Sequence, residues 1–292
     1  MALDPHEPGR RLRHRLEKAA APVCVGLDPV AAHMPDELAG LDPLDAVERF
    51  CEGVLAAIRG RIPCVKVQSA CFERYGHRGV AVLERVLGSS VEMGFETILD
   101  SKRGDIGISA SHYAAATAAT GAGWVTVNGY LGEDGITPFL DEGLGVFVLV
   151  RTRNPSGDEI QSPSCGDGTV ASLVARMVGR LGGDPPVDAL ASVGAVVGAT
   201  KPEAAAALRS VMPRTPFLLP GYGAQGGGAD GVRAALDPAG SGVLVTASRS
   251  IIRAWQSSDA GASAGESWTD AVSTAADRFI EEIAGVVDGS IA

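Results

Sequence analysis

Short apolar runs recur along this chain, and each ends on a polar residue or a glycine. They read PVCVGLD ending at Asp28, PCVKVQ ending at Gln68, FETILDSK ending at Lys102 and WVTVN ending at Asn128. Four more follow: GVFVLVRT ending at Thr152, VGAVVGAT ending at Thr200, TPFLLPG ending at Gly221 and GVLVTAS ending at Ser248. Runs this short, bounded by turn residues, predict buried strands. The segments at 43–59, 77–93, 106–120, 169–182, 202–211 and 229–236 carry helix-like spacing and are often bounded by Gly or Pro.

Strand and helix alternating eight times predict parallel strands with helical crossovers. At 292 residues the expected class is α/β, a (β/α)8 TIM barrel forming a single domain over 1–292. A doubly wound open sheet is the structural alternative. It requires a Gly-rich phosphate turn after the first strand, where this chain has GLDP at 26–29. The segment 154–192 is longer than most strand-to-helix connections and rich in Ser, Gly and Pro, which predicts an inserted mobile loop plus an extra helix. SSDAGASAGE from Ser257 to Glu266 predicts a flexible link, with a closing helix starting near Trp268.

In a barrel the residues that act lie at the C-terminal ends of the strands. Asp28, Lys66, Asp100, Lys102, Asn128, Thr152, Gln225 and Arg249 all end apolar runs or follow them closely, so one mouth is expected to collect them. The densest stretch is ILDSKRGDIGISAS from Ile98 to Ser111. Side chains two apart on a strand share a face, so Asp100 and Lys102 are expected to project together, and the turn after Gly104 to bring Asp105 back toward them. Unit charges about 4 Å apart interact by roughly 4 kcal/mol at an effective dielectric of 20, enough to set protonation states. Lys66 lies inside an apolar run where a lysine is costly to bury unpaired, so it is expected to face carboxylates.

A net charge of −10 argues against a broadly nucleic-acid-binding surface, so an anionic ligand must be gripped locally by a few cations and amides. The expected partner is a small molecule. No run approaches the roughly 20 apolar residues of a membrane span, and the N-terminus has charges where a signal peptide needs an apolar region. Five cysteines, odd in number and without a C-x-x-C pair, fit reduced thiols in a cytoplasm. Arg10, Arg11, Arg13, His14 and Arg15 are surrounded by Glu7, Glu17 and Lys18 with mixed charge and read as a solvated helix end. The histidines show no metal-ligand spacing.

GLDP at 26–29, K-x-Q at 66–68, D-x-K-x-x-D-I at 100–106, PGYGAQGG at 220–227 and SRSI at 248–251 together resemble orotidine 5′-phosphate decarboxylases, in the bacterial branch with longer chains (type 2). The resemblance implies cofactor-free decarboxylation of orotidine 5′-monophosphate to uridine 5′-monophosphate, a step of de novo pyrimidine biosynthesis. It implies that Lys66, Asp100, Lys102 and Asp105 form a charged tetrad, with Lys102 protonating pyrimidine carbon 6. Asp105 then reaches the site of a partner subunit in a homodimer. Asp28 binds ribose hydroxyls, Ser109 keeps a hydroxyl where the family usually has threonine, and Asn128 lies near the pyrimidine or ribose. Gln225, Arg249 and the amides around Gly221 and Gly223 hold the 5′-phosphate. No metal and no cofactor is implied.

The chain departs from the family pattern at Val67, Ile108, Gly129 and Arg153. Arg153 stands where a serine is expected to hydrogen-bond the pyrimidine, leaving Thr152 or the backbone for that contact. Two other functions compete: a metal-dependent sugar-phosphate aldolase or decarboxylase of the same barrel group, and a non-catalytic nucleotide-binding barrel. The first needs a divalent ion on carboxylates that Lys66 and Lys102 already neutralise.

Overall fold

The computed structural model describes residues 3–223, 228–256 and 267–290. Each apolar run forms a parallel strand: β1 (Val23–Leu27), β2 (Cys64–Gln68), β3 (Glu96–Arg103), β4 (Trp124–Asn128), β5 (Gly145–Arg151), β6 (Val193–Val197), β7 (Phe217–Pro220) and β8 (Val243–Ala247). They lie side by side in chain order and close into a barrel, with β1 pairing β8 through Val23 and Val245. The open-sheet alternative is thereby ruled out.

Helices α1 (Glu7–Lys18), α2 (Pro43–Ile58), α3 (Gly76–Glu92), α4 (Gly107–Ala119), α5 (Val170–Gly182), α6 (Pro202–Val211), α7 (Ala229–Ala235) and α8 (Trp268–Val287) accompany the strands. Their starts are written locally. Asp42 accepts the Leu44 N–H ahead of Pro43 at α2, Thr169 accepts the Ser172 N–H at α5, and Ser267 with Asp270 forms a reciprocal capping box at α8. Between β5 and α5 the chain adds a short helical turn (Asp158–Gln161) and a two-stranded hairpin pairing Ser164–Cys165 with Gly168–Thr169. The link 257–266 lies outside the described residues.

Two apolar clusters hold the barrel. The larger fills the space between strands and helices. The smaller fills the barrel interior, where each strand contributes one residue: Cys24, Cys64, Ile98, Trp124, Phe147, Val196, Leu218 and Leu244. Leu12 and Leu16 of α1 close it from below. Trp124 tilts against Phe147 with ring centroids 4.6 Å apart. Gly145 makes room for it, since a Cβ there would sit 2.4 Å from the indole. Of the α1 cations, Arg10 pairs at the surface with Asp4 and Asp188 and Arg13 with Glu17, while Arg11 reaches the buried Glu96 at 3.4 Å.

This interior layer positions the site. Two residues beyond it on the same inward face come Lys66, Asp100, Thr126, Leu149, Pro220 and Thr246, so the barrel changes from apolar floor to polar cavity within one strand period.

Candidate active site

At the C-terminal end of the barrel lies a cavity of about 630 Å³, within the range of small-molecule sites. Asp100 stands at its floor and accepts four hydrogen bonds. Lys66 Nζ donates to Oδ2 at 2.6 Å and Gln68 Nε2 to the same oxygen at 3.2 Å. Lys102 Nζ donates to Oδ1 at 2.6 Å and Thr126 Oγ1 at 2.8 Å. With both oxygens engaged twice, the plane of this carboxylate is fixed.

The strand carrying it is irregular. Leu99 pairs with Val125 and Arg103 with Val127, so β3 spends four residues where β4 spends two. Such bulges re-aim side chains. Lys102 lies inside this one with φ +48°, the only positive φ outside glycine among the described residues. A left-handed conformation costs a side-chain-bearing residue roughly 1–2 kcal/mol, and the Lys102 N–H donating to Thr126 Oγ1 at 3.0 Å helps to hold it.

Lys66 and Asp100 are both buried. Burial disfavours the Lys66 ammonium, but the carboxylates of Asp100 and Asp28 outweigh it and hold this lysine above its ordinary range. Burial likewise pushes the Asp100 carboxyl up, and Lys66 and Lys102 together pull it well below the usual carboxylate range. Both therefore stay charged at neutral pH. Asp28 completes a balanced set of two ammoniums and two carboxylates: its Oδ1 lies 3.9 Å from Lys66 Nζ and has no hydrogen-bond partner. A buried acceptor left open in a cavity awaits a donor.

The opposite wall comes from β5 to β8. Thr152, Arg153 and Asn154 line it after β5, Pro220, Gly221 and Tyr222 at the end of β7, and Ser248, Arg249 and Ser250 after β8. Loops after strands seven and eight are the frequent phosphate position of such barrels. Gly221 has φ +96°, which suits close backbone approach. Arg153 and Arg249 are exposed guanidiniums with no ion pair among the described residues. The segment after β5 is anchored by the buried Arg151, which pairs with Asp158, while Asp158 also pairs with Lys201.

Comparison with known proteins decides what this arrangement belongs to. The sequence model of the "Orotidine 5'-phosphate decarboxylase / HUMPS family" matches residues 21–264. The chain belongs to this family. It is 37% identical to the orotidine 5′-phosphate decarboxylase of Rhodopirellula baltica, over 94% of this chain and 98% of that one. It is 36% identical to that of Streptomyces coelicolor, over 97% and 99%. Among solved structures, the orotidine-monophosphate decarboxylase of Leishmania donovani superposes with a TM-score of 0.76 at 30% identity, covering 95% of this chain and 97% of that one.

Of the residues expected at a decarboxylase site, Asp28, Lys66, Asp100, Lys102, Thr152, Gly221 and Arg249 share the one cavity. Asp105 does not join them within the chain. The turn after Gly104 carries it outward, and its Oδ1 takes the N–H of Ile106 at 2.8 Å, so Lys102 is held by Asp100 alone. Ser109 lies on the first turn of α4, outside the cavity lining, as does the exposed Gly223. Asn128 also stays outside it and accepts the Tyr130 N–H at 3.0 Å, capping its own turn. Gln225 lies outside the described residues. The Thr152 hydroxyl is already engaged, donating to Asn154 Oδ1 and accepting from Gln161 Nε2, both at 2.7 Å. Sequence reasoning missed Thr126, although the period of WVTVN places it on the inward face with Trp124 and Asn128. Among the described residues no group of three or more His, Cys, Asp or Glu side chains is arranged to hold a metal.

Proposed function

We propose that this protein decarboxylates orotidine 5′-monophosphate to uridine 5′-monophosphate without a cofactor, as a member of the bacterial long-chain branch of its family. The observation that carries this reading is the Lys66–Asp100–Lys102 chain, two contacts of 2.6 Å at the floor of a nucleotide-sized cavity whose far wall holds Arg249 and the Gly221 backbone. The nucleotide lies between them, its phosphate on Arg249 and the Gly221 and Gly223 amides with Gln225, and its pyrimidine over Lys102.

When carbon dioxide leaves, the electron pair of the broken carbon–carbon bond stays on pyrimidine carbon 6. The Lys102 ammonium faces that charge and then transfers a proton to it, forming the C–H bond of product and leaving a neutral amine that solvent reprotonates. Asp100 faces the substrate carboxylate, a repulsion relieved as carbon dioxide departs. The unpartnered Asp28 Oδ1 accepts from a ribose hydroxyl, and Lys66 stabilises both carboxylates. Arg153, which only donates, faces carbonyl oxygens of the base where a serine would both donate and accept.

Asp105 and Ser109 serve the site of a partner subunit, and Asn128 lies near that junction, so the working unit is a homodimer. Support comes from exposed apolar side chains that follow Asp105 and β4: Ile108 is 75% exposed and Tyr130 76%, and Ile106 is exposed as well. Free cysteines and the acidic balance favour the cytoplasm. Among the described residues no helix is long and apolar enough to cross a membrane.

Purified protein mixed with orotidine 5′-monophosphate should remove the orotate absorbance, at the same rate in excess chelator as without it. Absence of turnover overturns the reading, and strict dependence on a divalent ion transfers the chain to the sugar-phosphate enzymes of the same barrel group.

A further inference from the structure

The bulge in β3 faces one residue of β4. Val125 and Val127 pair with Leu99 and Arg103, so Thr126 lies opposite the stretch from Asp100 to Lys102. It is buried, and its hydroxyl makes two contacts there: it accepts the Lys102 N–H at 3.0 Å and donates its single proton to Asp100 Oδ1 at 2.8 Å. The roles cannot be exchanged, because a backbone N–H only donates and an ionised carboxylate only accepts. Asp100 Oδ1 in turn takes the Lys102 ammonium at 2.6 Å. Backbone, hydroxyl, carboxylate and ammonium thus form a closed ring that joins the main chain of Lys102 to its own side-chain tip.

We propose that Thr126 is a positioning residue whose hydroxyl closes the β3 bulge and sets the direction from which Lys102 meets the reacting carbon. This rests on the functional reading above. Without the hydroxyl, the left-handed backbone of Lys102 loses its tie to β4 and the Asp100 carboxylate loses one of the four bonds that orient it. The ammonium then samples directions away from the substrate.

Thr126→Val keeps the shape and removes the hydroxyl, and Thr126→Ser keeps the hydroxyl and removes the methyl. Thr126→Val should lower kcat about 10- to 100-fold while KM for orotidine 5′-monophosphate changes less than about threefold. Thr126→Ser should recover most of the loss. A valine variant within about twofold of the parent, or a serine variant that falls equally far, overturns the proposal. A second measurement needs no turnover: the Lys102 amide hydrogen should exchange with solvent at least about tenfold faster in Thr126→Val than in the parent. Equal exchange rates overturn the positioning role even if the parent proves to act on another substrate, whereas an inert parent with the faster exchange strikes only at the functional reading.

Discussion

Lys66 is buried against Asp100 at 2.6 Å, and its removal has a worked-out pH signature. Lys66→Met leaves Asp100 buried with one ammonium instead of two, which should cost about 3 kcal/mol of stability at neutral pH. Because the folded-state pKa of Asp100 is depressed, the stability it contributes is complete above the ordinary carboxylate value near 4 and is lost as pH falls through the depressed value. The variant shrinks that depression, so acid unfolding should begin at higher pH than in the parent. Lys66 runs the other way. Its raised pKa contributes stability that is complete below its ordinary value near 10.4 and disappears as pH rises through the raised one, a loss the variant no longer has. Denaturant midpoints measured across pH check both ends, and an unshifted acid limb would show that Lys66 does not neutralise Asp100.

The strands decide which side chains meet, and much of this was legible in the sequence. Alternation within CVKVQ and TILDSK places Lys66, Asp100 and Lys102 on inward faces, and the apolar runs mark all eight strands because a barrel strand buries both its faces. What pattern reading could not supply was anything depending on an irregular backbone. The doubled bulge in β3 and the left-handed Lys102 have no local sign, and the outward course of Asp105 follows from that same turn rather than from its spacing. Nothing in WVTVN marks Thr126, because its hydrogen-bond partners lie on another strand. One element-scale feature invites a direct test. Gly145→Ala places a methyl group against the Trp124 indole in the barrel interior, and should destabilise the protein by about 1–3 kcal/mol in urea unfolding. An unchanged midpoint would mean that the indole gives way freely.

At the scale of the whole molecule, the cavity of one chain holds only part of the expected tetrad. With Asp105 turned outward beside exposed isoleucines, complementation between damaged chains is the natural experiment. Coexpressed Asp105→Ala and Lys102→Ala chains should regain about a quarter of the parent activity, since half of randomly formed dimers are mixed and each of these carries one intact site. Two inactive variants that stay inactive together would show that Asp105 does not act across subunits.

Leu12, Leu16 and the ring of residues from Cys24 to Leu244 close the barrel at one end, so among the described residues the catalytic chamber opens at the other. Gas and nucleotide must both depart along the path by which the nucleotide arrived. With the phosphate held at Arg249 as proposed, the order of exit becomes a property of the rim: carbon dioxide is expected to leave ahead of the nucleotide, whose departure waits on that grip.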